Sequence, residues 1–397
     1  MSLSPRPKSP EAARRLKIIQ YCPRLRLELG GIVRTVLDWC AVLAARGHEV
    51  ILVTYDSPDV PADWNGAGPK PRVVTVPPPR RPNGMVGKEA LRIWENVLSG
   101  GGVAHLHCPW TASNLQMSKI ARRLGVPYIV SIHGMLDDWS MAQKHLKKRL
   151  FLMIGGRRFL RRAARIHYSA AAERDQAQKW VGGSQPIVLP LLVDLAPFQI
   201  LPGEGPARTR FPALNVDEPK LLFLSRLHEK KGADVLIEAA ALLRDSGRTF
   251  KVFIAGSGAP AYQMQLQQRI DRLGLGGEVA FLGMVSGVEK ISLYEAADLF
   301  ILPTRQENFG MVLIEALAAA TPVVTTRETD IWQEIQSAGG TIVDNTPQAL
   351  CTALTRLLDD PGLLTALGER GRQWVLKHFE ANSLAAGYET MYGELAI

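Results

Sequence analysis

Short, almost wholly apolar runs, each ending in a polar or glycine-bearing loop and followed by residues at helical spacing, recur along this chain and restrict its fold. Leu299–Leu302 is one such run, and the stretch ENFGMVLIE from Glu307 to Glu315 carries it into an alanine-rich helix that Pro322 closes. Residues 16–21, 50–54, 73–76, 103–107, 128–132 and 187–189 read as strands in the first half, and 221–224, 252–255 and 279–282 in the second. Helical spacing is found at 32–45, 114–124, 233–243 and 286–296. Strands buried on both faces that alternate with helices predict an α/β fold of parallel sheets.

The stretch from Glu307 to Glu315 also constrains function. Glu315 is flanked by Leu313, Ile314, Ala316 and Leu317, and an ionised side chain there is costly unless something binds it. A polar ligand is the economical explanation. Eight helical residues rise about 12 Å, a span that suits two ends of one elongated ligand. The N–H groups of Phe309, Gly310 and Met311 at the helix start form a ready anion site.

A chain of 397 residues predicts two domains of nearly equal size. Their charge is unequal: residues 1–200 hold 29 Lys and Arg against 14 Asp and Glu, the remainder 18 against 24. The first half is therefore basic and suited to an anionic partner or a solvated surface. Cys22, Cys40, Cys108 and Cys351 form no C-x-x-C pair, which argues against zinc and a disulfide framework and fits a reducing cytoplasm. No apolar stretch is long enough to span a membrane, and residues 1–16 read as a disordered basic tail.

In the first half, the loop PRLRLELGG ends in Gly30 and Gly31 at a helix start, which fits either a phosphate site or a tight turn alone. His107 and His133 fall at strand ends, where open α/β sheets bind ligands. His107 reads as structural; His133, followed by Gly134 and then MLDDWS, reads as a site residue. Residues 144–165 carry nine Lys or Arg and no Asp or Glu. As a helix they would present a basic and an apolar face, and two readings fit: peripheral contact with an anionic membrane on its inner face, or core packing with a solvated basic face. No recognition motif accompanies the charge, which argues against nucleic acid.

Residues 199–218 are rich in Pro and Gly without periodicity and read as the linker. Beyond it, Arg226 at a strand end and Lys231 before Gly232 suit a diphosphate. Gly256, Gly258 and Ala261 match G-x-G-x-x-A, yet they follow the domain's second strand, and Glu278 precedes the next strand instead of ending it. Nicotinamide and flavin binding are therefore rejected, and these glycines read as allowing a nucleotide to lie against the backbone.

SRL-x3-KG from Ser225, AGSG, the strand ending in FLG and above all ENFGMVLIEALAAATPVV resemble the donor-binding domain of retaining GT-B glycosyltransferases of the large family 4. The first half agrees through its GG loop, RGHEV and SIHGMLDDWS, so the likeness runs from Lys17 onward. It implies two Rossmann-like domains facing a cleft: an acceptor domain at 17–198, a donor domain at 219–375, and a C-terminal helix within 376–397 that crosses back to the first. It also implies a nucleotide-diphospho-sugar substrate, a glycan or lipid-linked acceptor, and no cofactor or metal. At the reaction centre Glu307 would bind the sugar hydroxyls and His133 would line the transferred sugar. Glu315 would hold the ribose, and Arg226 and Lys231 the diphosphate. The backbone of Asn308 to Met311 would lie along the donor, with Gly30 and Gly31 closing from the opposite domain, Gly256 beside the nucleotide, and Gly283 and Met284 near the base. The implied role is sugar transfer in bacterial surface polysaccharide assembly. An epimerase, a phosphorylase and a non-catalytic nucleotide-sugar binder are the alternatives. The chain departs from the family pattern at Leu191 and Leu192 in the hinge and at Arg327 to Asp330 after the strand VVTT.

Overall fold

The computed structural model describes residues 15–79, 84–183 and 185–396; the tail expected at 1–16 lies outside them except for its last two residues. Two parallel sheets form two lobes. The first contains β1 (Lys17–Tyr21), β2 (Glu49–Thr54), β3 (Arg72–Thr75), β4 (Val103–Leu106), β5 (Tyr128–Ser131), β6 (Arg165–Tyr168) and β7 (Pro186–Val188) in the order β3-β2-β1-β4-β5-β6-β7. The second contains β8 (Lys220–Leu224), β9 (Lys251–Ala255), β10 (Val279–Gly283), β11 (Leu299–Leu302), β12 (Val323–Thr326) and β13 (Thr341–Val343) in the order β10-β9-β8-β11-β12-β13. Both reverse strand order beside their first strand, and a crevice opens there at the carboxyl ends. The runs LLFL and LFIL are buried throughout, as sheets covered on both faces require.

The helix Ala381–Gly393 returns to the first lobe. Its Ala385, Tyr388, Met391 and Tyr392 are buried against Ile18, Trp39 and Leu43, and Arg46 makes a bidentate pair with Glu389. The departure at Leu191 and Leu192 now has a physical meaning. Leu191 belongs to the second lobe's core and Leu192 to the first lobe's, so the crossing point is anchored on both sides.

Several stretches differ from expectation. Residues 144–165 are not one helix: His145–Phe151 runs through a single π turn at Leu152–Gly156 into Arg157–Arg161, and Arg165 opens β6. β6, which opens on Arg165 and has only His167 and Tyr168 after Ile166, offers no apolar run and overlaps the end of the basic stretch. Residues 199–218 are not featureless, since Gly205–Arg210 forms a helix whose Ala207 is buried and donates its N–H to Ser292 Oγ at 2.9 Å. The helices Lys88–Leu98, Ala171–Val181, Pro260–Leu273, Pro347–Leu358 and Pro361–His378 are further additions to the expected elements.

Candidate active site

The crevice is narrow enough for the two lobes to touch. Arg226, after β8, reaches Gly30, where a methyl group would sit 3.1 Å from its Nε. Met311 lies under the helix Gly31–Ala45, its Sδ 3.3 Å from Thr35 Oγ1. A methyl group on Gly134 would sit 2.8 Å from Cβ of Asn308. Lys230 lies 3.6 Å from Asp137 and 5.0 Å from the Trp139 ring. Gly30, Gly31, His133, Arg226, Lys231, Glu307, Asn308 and Met311 thus border one cleft, on the loops and helix starts that follow the carboxyl ends of the strands.

Glu307 and Lys231 form an ion pair, with 14% and 11% of their side chains exposed. Burial alone would raise the Glu307 carboxyl, but Lys231, Lys230 and Arg226 outweigh it and hold it below the usual range. The residues after VVTT support it: Glu307 N–H donates to Glu328 O and Asp330 N–H to Glu307 O, both at 2.8 Å. Glu315 is satisfied within the protein, so its burial does not by itself call for a ligand: Lys290 Nζ lies 2.7 Å and Tyr294 Oη 2.9 Å from its two oxygens. Arg226 has no hydrogen bond or ion pair among the described residues. The same holds for the N–H groups of Phe309, Gly310 and Met311 at the start of the helix Met311–Ala318. Unengaged N–H groups and a free guanidinium at one place make an anion site.

A cavity of about 350 Å³ opens between Met311, Lys290 and Glu315 on one side and Arg34, Asp38 and Asp194 on the other. Gly287 and Val288 line it, while Gly283 and Met284 do not, Met284 being 60% exposed. Gly256 is needed for the packing of its own lobe. At φ +124° its absent Cβ would lie 1.9 Å from Ser225 O, so the close approach is made by the chain's own backbone. Phe309 turns its ring inward against Phe379, leaving only its backbone to the cleft.

His133, in the left-handed region at φ 53°, ends a buried hydrogen-bond chain. Tyr388 Oη donates to Pro190 O at 2.6 Å, so His167 Nε2 must supply the proton to Leu189 O at 2.9 Å. His167 Nδ1 then accepts from Ser131 Oγ (2.8 Å), which accepts from His105 Nε2 (2.7 Å). His105 Nδ1 accepts from Tyr392 Oη (2.7 Å), and Gln20 bridges Tyr392 (3.0 Å) and His107 Nε2 (2.8 Å). The last step leaves His107 Nδ1 to accept from His133 Nε2 at 2.8 Å. One carbonyl therefore sets the tautomer of a ring in the cleft, and His133 keeps its Nδ1 lone pair. Burial holds His133 down at about 3 and His167 at about 4, so both are neutral.

Glu173 was missing from the sequence reading. Fully buried, it accepts the N–H of Gly134 and of Ser169, each at 2.6 Å, and so fixes the loop that carries His133. Its position in the first turn after β6 was the available signal. With its nitrogen turned toward the acids, the Asn308 amide donates to Glu173 (3.2 Å) and Asp330 (3.3 Å) and accepts from Ser169 Oγ (2.9 Å). Gln176 Nε2 donates to Asp330 at 3.0 Å, so this cluster ties the lobes together. Burial first pushes Glu173 up to about 7, and burial followed by Glu173 and Asp137 pushes Asp330 up to about 8.

Comparison with known proteins bears on both lobes. The profile described as "Glycosyl transferases group 1" matches residues 207–374, and that described as "Glycosyl transferase 4-like domain" matches 30–191. The D-inositol 3-phosphate glycosyltransferase of Kineococcus radiotolerans is 32% identical over 271 residues, 63% of this chain; the match spans 62% of the relative's length, less than two thirds. The GDP-mannose-dependent alpha-(1-6)-phosphatidylinositol dimannoside mannosyltransferase of Mycobacterium tuberculosis is 31% identical over 182 residues, 46% of each chain. The crystal structure of Anabaena Alr3699/HepE with UDP and glucose superposes with a TM-score of 0.77 at 16% identity, covering 96% of this chain and 100% of that one. That likeness is one of fold, the GT-B arrangement of two Rossmann-like domains.

Proposed function

The chain belongs to the group 1 glycosyl transferases, and from that premise we propose that it moves a sugar from a nucleotide-diphospho-sugar to a glycan or glycolipid acceptor with retention of configuration. The observation that carries this is the convergence of the unpaired Arg226 with the unengaged N–H groups of Phe309, Gly310 and Met311, opposite Gly30 and Gly31. Cleaving the glycosidic bond to a diphosphate leaves new negative charge on the phosphate. Donors already aimed there lower the barrier without reorganising. They supply positive charge in the place a metal ion would take, which supports a metal-independent reaction. The acceptor class draws on the inositol phosphate and phosphatidylinositol dimannoside in the relatives' names, and a place in surface polysaccharide assembly rests on that analogy.

Glu307, ionised and held by Lys231, is suited to accept sugar hydroxyls and unsuited to act as a general acid. His133 Nδ1 would take a further sugar hydroxyl. Glu315 would exchange Lys290 for the ribose. Glu307 is tied to Lys231 and burial leaves His133 a weak base, held down at about 3, so the leaving phosphate is the base best placed to take the acceptor proton. Attack would then come from the face the phosphate leaves, which is retention. The test is product analysis with UDP-, GDP- and ADP-sugars. An α-linked product from an α-linked donor, lost in Arg226→Ala with the fold intact, is expected. Conversion of the nucleotide-sugar without acceptor, or inversion, would sink the reading.

A further inference from the structure

The basic segment of the first lobe has two faces, and core packing explains only one. Inward, Leu152, Phe159 and Leu160 are buried, and Phe151 packs edge-on against Trp110 at 5.6 Å. Outward, Leu146, Leu150, Met153 and Ile154 are 72, 54, 80 and 74% exposed. Leu146 and Leu150 lie one turn apart on the helix His145–Phe151, and Met153 and Ile154 follow in the π turn, so the four make one exposed run. Around them stand the exposed Lys144, Lys147, Arg149, Arg157, Arg158, Arg161 and Arg162, none in an ion pair among the described residues. A solvated basic face would account for the cations and leave four large apolar side chains in water unexplained.

We propose that the outer face of residues 145–162 docks on an anionic lipid bilayer, with Leu146, Leu150, Met153 and Ile154 among the acyl chains and the surrounding Lys and Arg at the lipid phosphates. Charge selects this occupant. A second copy meeting through a two-fold axis would press this basic face against its own like. A nucleic acid would use the cations and leave the apolar side chains unmet. Depth is limited to the interface, since no helix among the described residues is long and apolar enough to cross a membrane.

The placement links the surface to the cleft. Lys148 lies 5.3 Å over the Trp110 ring and donates to Ser140 O, in the short helix Asp138–Ala142. The neighbouring Trp139 and Gln143 line a cavity of about 420 Å³ with Lys230, Arg269 and Arg305. A bilayer seated on 145–162 therefore adjoins the mouth of the cleft, where a lipid-anchored acceptor would enter; this last step rests on the transferase reading, and docking itself does not.

Flotation of the full chain with phosphatidylcholine vesicles, with and without phosphatidylglycerol, tests it. Binding to the anionic vesicles alone is expected, weakening with salt. It should fall at least about tenfold both in Leu146→Gln/Met153→Gln/Ile154→Gln and in Arg157→Gln/Arg158→Gln/Arg161→Gln. Thermal midpoint and donor turnover on a water-soluble acceptor should be unchanged, since every substituted side chain is exposed. Equal binding to neutral vesicles or none at all would overturn the proposal. So would undiminished binding by the apolar triple variant, which marks a general polyanion site, or a dimer that the same variant dissociates.

Discussion

His107 Nδ1 accepts the Nε2 proton of His133 at 2.8 Å, which leaves the cleft-side ring neutral with its lone pair on Nδ1. The orientation originates far away, at the Leu189 carbonyl and at Tyr392 on the C-terminal helix. The helix that crosses back between the lobes is thus chemically connected to the site.

Tyr392→Phe should break this chain, because Gln20 and His105 lose the hydroxyl between them. Loss of one buried link costs about 1–3 kcal/mol of stability. Turnover should fall about tenfold if His133 meets the sugar as proposed. Nitrogen-15 NMR of the histidines would show His133 shifting from a pure Nε2–H form to a mixture of tautomers. An unchanged tautomer with reduced turnover would place the effect elsewhere.

The buried pair Lys231–Glu307 makes the obvious single variants hard to interpret. Lys231→Ala leaves an uncompensated buried carboxylate and should cost about 3–5 kcal/mol in addition to abolishing transfer. The double variant Lys231→Met/Glu307→Gln should recover most of the thermal midpoint and none of the activity. If both variants melt alike, the pair carries little coupling and the assignment of Glu307 as an ionised sugar ligand weakens.

Much of this site was legible because a parallel α/β sheet places its ligands at strand ends, and strand ends can be read where the strands are uniformly apolar. β8 and β11 met that condition, and Arg226, Lys231 and Glu307 follow from them. β6 did not: RIHY opens on Arg165, inside the basic stretch 144–165 that reads as helix, and with it the strand, the following helix and Glu173 went unseen. Glycines misled in a different way. Gly256 and Gly134 look alike in sequence, yet one makes room for Ser225 of its own lobe and the other for Asn308 across the cleft. Which neighbour approaches a glycine is a tertiary fact.

That difference separates two substitutions. Gly256→Ala would put a methyl group 1.9 Å from Ser225 O and should unfold the second lobe or severely lower its melting temperature. Gly134→Ala would meet Asn308 Cβ at 2.8 Å and strain a φ of +67°, a cost of about 1–3 kcal/mol falling on the contact between lobes. The Gly134 variant should fold, with donor KM raised and small-angle scattering showing a wider cleft. Normal kinetics would show that the lobes need not close on this contact.

The acid cluster between the lobes gives stability a pH dependence of unusual sign. Glu173 and Asp330, raised to about 7 and 8, keep protons that unfolded carboxyls lose near about 4. Above about pH 4 these two acids therefore bind more protons in the folded state than in the unfolded one, so their contribution to stability falls as pH rises and levels off beyond about 8, while the buried neutral histidines act in the opposite direction below about pH 6.5. The groups facing the cluster are Asp137, which raises both acids, and the neutral Gln176, Gln306, Asn308 and Ser169. Asp330→Asn keeps an oxygen for Gln176 and Gln306 and removes one titrating acid along with its repulsion of Glu173. Its melting temperature should match the wild type near about pH 5 and exceed it near about pH 8.5. Parallel melting curves across that range would mean that Asp330 is ionised in the folded protein and that its junction with Asn308 is an ordinary solvated contact.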